Sequence, residues 1–199
     1  MSRVTANTKQ ATRARLLAAA AQEFARAGLE RANIDAISLA AGYAKGTIYN
    51  YFASKEELFL AVVEEASGQA AAPSPVPADA PAIERLAAVI TGFCAWVREH
   101  DAFARVLVRE CLMGTPALYP RVILAEAPLV GELETILREG ARSGELRDDV
   151  PAEVLALALA GLADLAMAQH WASGGARPAL QEIPELVLTL LLGTAIRGR

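Results

Sequence analysis

Residues 34–58, IDAISLAAGYAKGTIYNYFASKEEL, decide the reading of this chain. Ile34, Ile37 and Ala41 recur at three- and four-residue spacing and line one face of a short helix, with Asn33 placed to cap its N-terminus. Gly42 permits a left-handed turn. The spacing predicts a second helix from Lys45 to Phe52, in which steps of about 100° per residue put Ile48 and Phe52 on one side and Gly46, Thr47, Asn50 and Tyr51 opposite. Ser54 to Glu57 read S-K-E-E, a capping box that opens a third helix. Two short helices joined by a glycine turn and followed by a capped third form a helix-turn-helix.

That division of faces suits a helix that reads DNA. Its apolar side anchors it, while its polar side presents donors and acceptors to base edges in the major groove. Lys45 and Tyr49 fall between the faces, within reach of phosphate. Lys55 stands at the positive end of a helix, where a cation opposes the helix dipole and calls for an anion nearby.

From about Lys9 to Glu65 the chain resembles the DNA-binding domain of the TetR family of bacterial repressors, whose pattern runs Ile-Ala-x-x-Ala-Gly-Val-Ser-x-Gly-x-Leu-Tyr-x-x-Phe-x-x-Lys-x-x-Leu. The matching residues are Ile37, Ala41, Gly42, Gly46, Ile48, Tyr49, Phe52, Lys55 and Leu58. Ser38, Tyr43 and Ala44 depart from it, standing where the pattern has Ala, Val and Ser. The resemblance implies that Lys45, Gly46, Thr47, Tyr49, Asn50, Tyr51 and Lys55 face DNA, and Asn33 joins them at the start of the first short helix.

Charge agrees in sign. Residues 1–60 carry eight cations against five acids, a net +3, whereas the whole chain is −4, which leaves −7 on residues 61–199. A basic head on an acidic body is the asymmetry of a protein that meets a polyanion at one end only. Arg3, Lys9 and Arg13 would extend the footprint as an N-terminal arm. With 199 residues, 54% of them hydrophobic and 21% charged, the chain has enough material for a small head and a larger packed body. Cys94 and Cys111 fit a reducing cytoplasm, as small apolar residues rather than a disulfide, and their spacing matches no metal pattern. The N-terminus lacks the apolar core of a signal peptide, and Leu186–Leu192 is too short to span a bilayer, so a soluble, cytoplasmic protein is expected.

A first helix from about Lys9 to Ala27 carries Leu17, Ala20, Phe24 and Ala27 on one stripe and ends at Gly28. The helix from Ser54 reaches about Ser67, and Pro73, Pro75, Pro77 and Pro81 then make a linker. In the body, Ile83, Leu86, Ile90, Phe93 and Val97 form one stripe, and Phe103, Val106, Leu107 and Glu110 begin another. A third body helix runs from about Ala117 to Arg142, with Pro120 in its first turn, Pro128 as a kink, and Gly140 and Gly144 at its end. Pro151–Trp171 and Ile183–Ile196 are apolar nearly all round, more than one small domain can cover, which predicts a homodimer built on these two helices. Helix-turn-helix dimers read palindromic half-sites, so double-stranded operator DNA is the expected partner. The expectation is therefore an all-α protein: a helix-turn-helix domain over 1–53, a connecting helix and linker over 54–81, and a ligand-sensing and dimerisation domain over 82–199.

The segments VRECLMGTPALYPRV, residues 108–122, and REGARSGEL, residues 138–146, resemble the ligand-sensing half of the TetR-type repressors called AefR-like. That resemblance implies a pocket between body helices, with Phe93, Trp96, Phe103, Leu107, Cys111, Met113, Tyr119, Met167, His170 and Trp171 as candidate lining. So many aromatics point to a hydrophobic or aromatic effector. Two alternatives stand beside a ligand-released repressor: a DNA-binding regulator whose body docks a protein, and an enzyme using the body cavity. No Gly-rich phosphate loop, nucleophile elbow or paired histidines at metal spacing supports the enzyme, and neither cofactor nor metal is expected.

Overall fold

The computed structural model describes residues 2–70, 76–114 and 116–196, and among them there are eight α-helices and no strand. They are α1 (Ser2–Arg31), α2 (Ile34–Ala40), α3 (Lys55–Ala70), α4 (Ala82–Glu99), α5 (Asp101–Met113), α6 (Tyr119–Ser143), α7 (Ala152–Ala172) and α8 (Ile183–Ile196). The chain divides into two compact units. One runs up to Ala66 and includes His100–Leu107, and the other comprises Ser67–Glu99 and the residues from Val108 onward.

In the first unit, α1 buries Leu16, Leu17, Ala20 and Phe24, one stripe at helical spacing. Helical geometry breaks at Gly28, whose φ of 75° lies in the left-handed region that glycine enters without strain. The first three turns of α3, up to Ala66, belong to this unit, although the sequence reading assigned that helix to the connector. The cause is its core face: Leu58, Phe59 and Val62 are buried, and the Phe59 ring meets Phe24 edge-on with centroids 5.0 Å apart. Arg13 is no part of a loose arm. It lies on α1 with its guanidinium 5.6 Å from the centre of the Phe52 ring and 3.9 Å from Glu65.

In the second unit, α4 packs on α6 and α8, α6 on α7, and α7 on α8. Leu86, Ile90, Phe93 and Val97 of α4 are buried, as the stripe predicts, while Ile83 is half-buried. Pro73 and Pro75 of the expected linker lie outside the described residues. Pro81 directly precedes α4, and the Glu145 carboxylate accepts a hydrogen bond from the buried start of that helix, at Ala82 N, 2.6 Å away. Pro120 sits in the first turn of α6 and Pro128 within it. Gly144 caps α6 with φ 76°, but Gly140 does not end the helix: it is buried inside α6, where a Cβ would come within 2.7 Å of Ala82 Cβ and 2.6 Å of Leu146 Cδ1. It marks a close approach rather than a stop. The helix α7 is long and apolar enough to cross a membrane by length and composition, yet Leu155, Leu159, Ala163 and Met167 are buried inside this unit.

Candidate functional site

Asn33 caps α2, its side-chain oxygen accepting from Asp35 N at 2.9 Å and Ala36 N at 3.2 Å. Ile37 and Ser38 are buried on that helix, and Gly42 turns the chain with φ 83°. The expected reading helix from Lys45 to Phe52 is shorter and tighter than its periodicity suggests: a 3₁₀ turn over Thr47–Asn50, opened by Gly46 at φ 85° with no side-chain cap. Ala44 offers no hydroxyl to cap it. The polarity of the segment is nevertheless the expected one. Ile48 and Phe52 are buried, while Tyr49, 57% exposed, and Asn50 point outward.

The remaining candidates surround that turn. Gly46, Thr47 and Tyr51 are half-buried, and Lys45 is exposed with its ammonium 3.0 Å from Asp35 Oδ2. Lys55 does have an oxygen partner, but one within the chain: its Nζ donates to the Glu30 carbonyl at 2.8 Å, at the C-terminal end of α1, where a cation favours the helix dipole. Ser54 Oγ accepts from Glu57 N at 3.1 Å, which is the capping contact at the start of α3. The larger side chain at position 43 reaches back to α1, where the Tyr43 hydroxyl donates to Thr12 Oγ1 at 3.2 Å. Ser38 is fully buried and its Oγ has no hydrogen-bond partner among the described residues.

In the second unit, a cavity of about 30 Å³ is walled by apolar side chains of α4, α6 and α7, among them Val89, Ile90, Phe93, Leu129, Leu133 and Leu159, with the carboxyls of Glu126 and Asp164 as its polar part. Of the ten residues expected to line a pocket, Phe93 does so. Trp96 stacks on Phe93 with centroids 5.9 Å apart and directs its indole N–H to Gln69 Oε1 at 3.4 Å. Phe103 and Leu107 belong to the first unit. Met113 is 79% exposed and Tyr119 is exposed as well. Met167 is buried in the core, His170 Nδ1 donates to the Pro178 carbonyl at 2.8 Å, and Trp171 is half-buried. Cys111 lies outside the apolar wall, its Sγ 2.5 Å from Glu126 Oε1. Burial raises the Glu126 carboxyl above its ordinary range, partly offset by the Cys111 hydrogen bond, and raises Asp164 further. The useful signal was helical phase, since Val89, Ile90 and Phe93 share one face of α4.

Comparison with known proteins covers both units. Residues 16–62 match the family described as "Bacterial regulatory proteins, tetR family", and residues 79–193 match "Tetracyclin repressor-like, C-terminal domain". The HTH-type transcriptional repressor AcnR of Corynebacterium diphtheriae is 31% identical over 92% of this chain and 94% of its own length. The Fatty acid metabolism regulator protein of Bacillus subtilis is 26% identical over 89% of this chain and 92% of its own length. Among solved structures, the transcriptional regulator FadR of Bacillus subtilis, in complex with stearoyl-CoA, superposes with a TM-score of 0.78 at 26% identity, covering 89% of this chain and 96% of that one.

Proposed function

This chain belongs to the tetR family of bacterial regulatory proteins, and from that premise we propose that it is a homodimeric repressor that leaves a palindromic operator when a small hydrophobic ligand enters its second unit. Its relatives are DNA-binding transcriptional regulators, and it is one of them rather than an enzyme. It works in the cytoplasm, where its operator lies. The observation that carries the DNA contact is the pairing of buried Ile48 and Phe52 with exposed Tyr49 and Asn50 on a single turn. Anchoring on one side and polar presentation on the other is what base readout requires. Asn50 and Thr47 supply base-edge contacts, while Lys45, Tyr49, Tyr51 and Lys55 hold phosphate, with Gly46 and Asn33 shaping the backbone that presents them.

The cavity walls support an apolar effector. With about 30 Å³ of accessible space the cavity is small for a long chain, so a large ligand favours a more open conformation of the protein. Release follows if that open form binds operator less well, and only the ligand's differential affinity for the two forms can drive it. The relative FadR binds stearoyl-CoA in its crystal structure, and a long acyl chain fits the apolar wall here. The carboxyls of Glu126 and Asp164 disfavour an anionic head inside, so the head group stays at the mouth.

The experiment begins by selecting duplexes from a random library and measuring affinity against salt concentration. Asn50→Ala is expected to cost about 1–3 kcal/mol on the selected site and little on unrelated duplexes, whereas Lys45→Ala weakens both and flattens the salt dependence. Long-chain acyl-CoAs and apolar aromatics are then compared with sugars and phosphate esters for thermal shift and operator release. Unchanged binding in both variants sinks the reading surface, and release by sugars alone sinks the hydrophobic effector.

A further inference from the structure

Three chemically reactive side chains that the regulator reading leaves unused meet in the second unit. Cys111 on α5, Glu126 on α6 and Asp164 on α7 bring a sulfur and two carboxylate oxygens within 4.8 Å of one another. Asp164 is only 8% exposed and lines the cavity beside Glu126. Among the described residues, the hydrogen-bond partner of its carboxyl is the Cys111 thiol, which is also the partner of Glu126. A thiol carries one proton, so it cannot satisfy both carboxyls. No Lys or Arg among the described residues acts on either, and Arg109 is directed at the neighbouring Glu110, 3.7 Å away. Asp164 is buried and Cys111 and Glu126 are half-buried, and two carboxyls and a thiol held there without a cation cost free energy that apolar side chains of the same volume would not. The balance comes either from protons held on the carboxyls, which burial raises above their ordinary range, or from a cation taken up from solution.

We propose that Cys111, Glu126 and Asp164 bind a divalent ion of the zinc class through the thiolate and one oxygen of each carboxylate. The thiolate selects borderline-soft ions such as Zn²⁺ and Co²⁺ over Mg²⁺ and Ca²⁺. With metal–sulfur and metal–oxygen bonds of about 2.3 and 2.1 Å, tetrahedral donors stand about 3.6 Å apart, so the cluster reaches coordination distance by small side-chain rotations. On binding, the ion replaces the thiol proton and any carboxyl proton, which pass to solvent. Three protein ligands leave the fourth position for a water, and the adjoining cavity of about 30 Å³ has room for one. The loaded site ties α5, α6 and α7 together. The inference stands on this geometry and does not depend on the DNA-binding or effector reading.

The test uses the full-length protein, stripped with chelator and titrated with Co²⁺ and then Zn²⁺. The expected result is one Co²⁺ per chain, with a thiolate-to-cobalt charge-transfer band in the near ultraviolet and tetrahedral bands in the visible, all displaced by Zn²⁺. Zn²⁺ also raises the thermal unfolding midpoint. Cys111→Ser abolishes the charge-transfer band, Cys94→Ser keeps it, and Glu126→Gln and Asp164→Asn each weaken binding at least about tenfold. Absence of the band from the wild-type protein, or its survival in Cys111→Ser, overturns the site. Should Cys111→Ser not fold, Cys94→Ser decides: the chain has two cysteines, so an unchanged band assigns the sulfur to Cys111 and a lost band refutes it.

Discussion

Ser38 places a hydroxyl where the family pattern has a methyl group. It is fully buried on α2 and its oxygen has no partner among the described residues, so the folded state carries the desolvation cost of a polar group with no hydrogen bond in return. Ser38→Ala is therefore expected to stabilise the protein by about 1 kcal/mol, raising the thermal unfolding midpoint by about 2–4 °C and leaving operator affinity unchanged. A midpoint that falls in differential scanning calorimetry would show that the hydroxyl is satisfied after all. The departure at Tyr43 has the opposite character, because its hydroxyl finds Thr12 on α1 and ties the helix-turn-helix to its neighbour. Neither outcome can be read from residue type alone. Whether a buried hydroxyl is costly or useful depends on which atom from a distant part of the chain stands opposite it.

Among the elements, helix positions were the most legible part of the molecule, because a 3.6-residue apolar period, glycine turns and prolines act locally. The break at Gly28, the cap at Asn33 and the first turn of α6 at Pro120 all follow from neighbours within a few residues. What periodicity could not convey was the tightness of the Thr47–Asn50 turn, where Gly46 enters at positive φ with no side-chain cap. Nor could it give the composition of the cavity, because Glu126 and Asp164 face each other only once α6 and α7 have a fixed rotation about their axes. Gly140 illustrates the same limit. A glycine near a helix end reads as a stop, but here it lets α6 approach Ala82 and Leu146. Gly140→Ala puts a methyl group within 2.7 Å of the Ala82 Cβ, and such overpacking costs about 1–3 kcal/mol despite the better helix propensity of alanine. Urea unfolding is expected to shift its midpoint downward by that amount, and an upward shift would mean that α4 yields freely.

At the scale of the whole molecule, the last two helices carry more apolar surface than the second unit covers. On α7, Val154, Leu157 and Leu165 are each at least half exposed, and they repeat at three- and four-residue steps together with exposed Gly161. Leu186 and Leu190 are exposed on α8, the latter at 64%. Leu159, in contrast, is completely buried against the cavity, so a charge there tests folding and not assembly. A second copy of the chain fits the exposed stripe because it offers the same stripe in return, as a two-fold dimer requires, and because two-fold symmetry matches a palindromic operator. Leu157→Glu or Leu190→Glu is expected to leave helical content and the unfolding transition recognisable while converting a dimer into a monomer by light scattering at micromolar concentration. Each such monomer carries one reading turn and binds a full operator at least about tenfold more weakly, because linking two half-site contacts raises the effective concentration of the second. If both charged variants remain dimeric and bind operator at full strength, the α7 and α8 faces are not the dimer interface, and the two-fold partner must dock elsewhere on the chain.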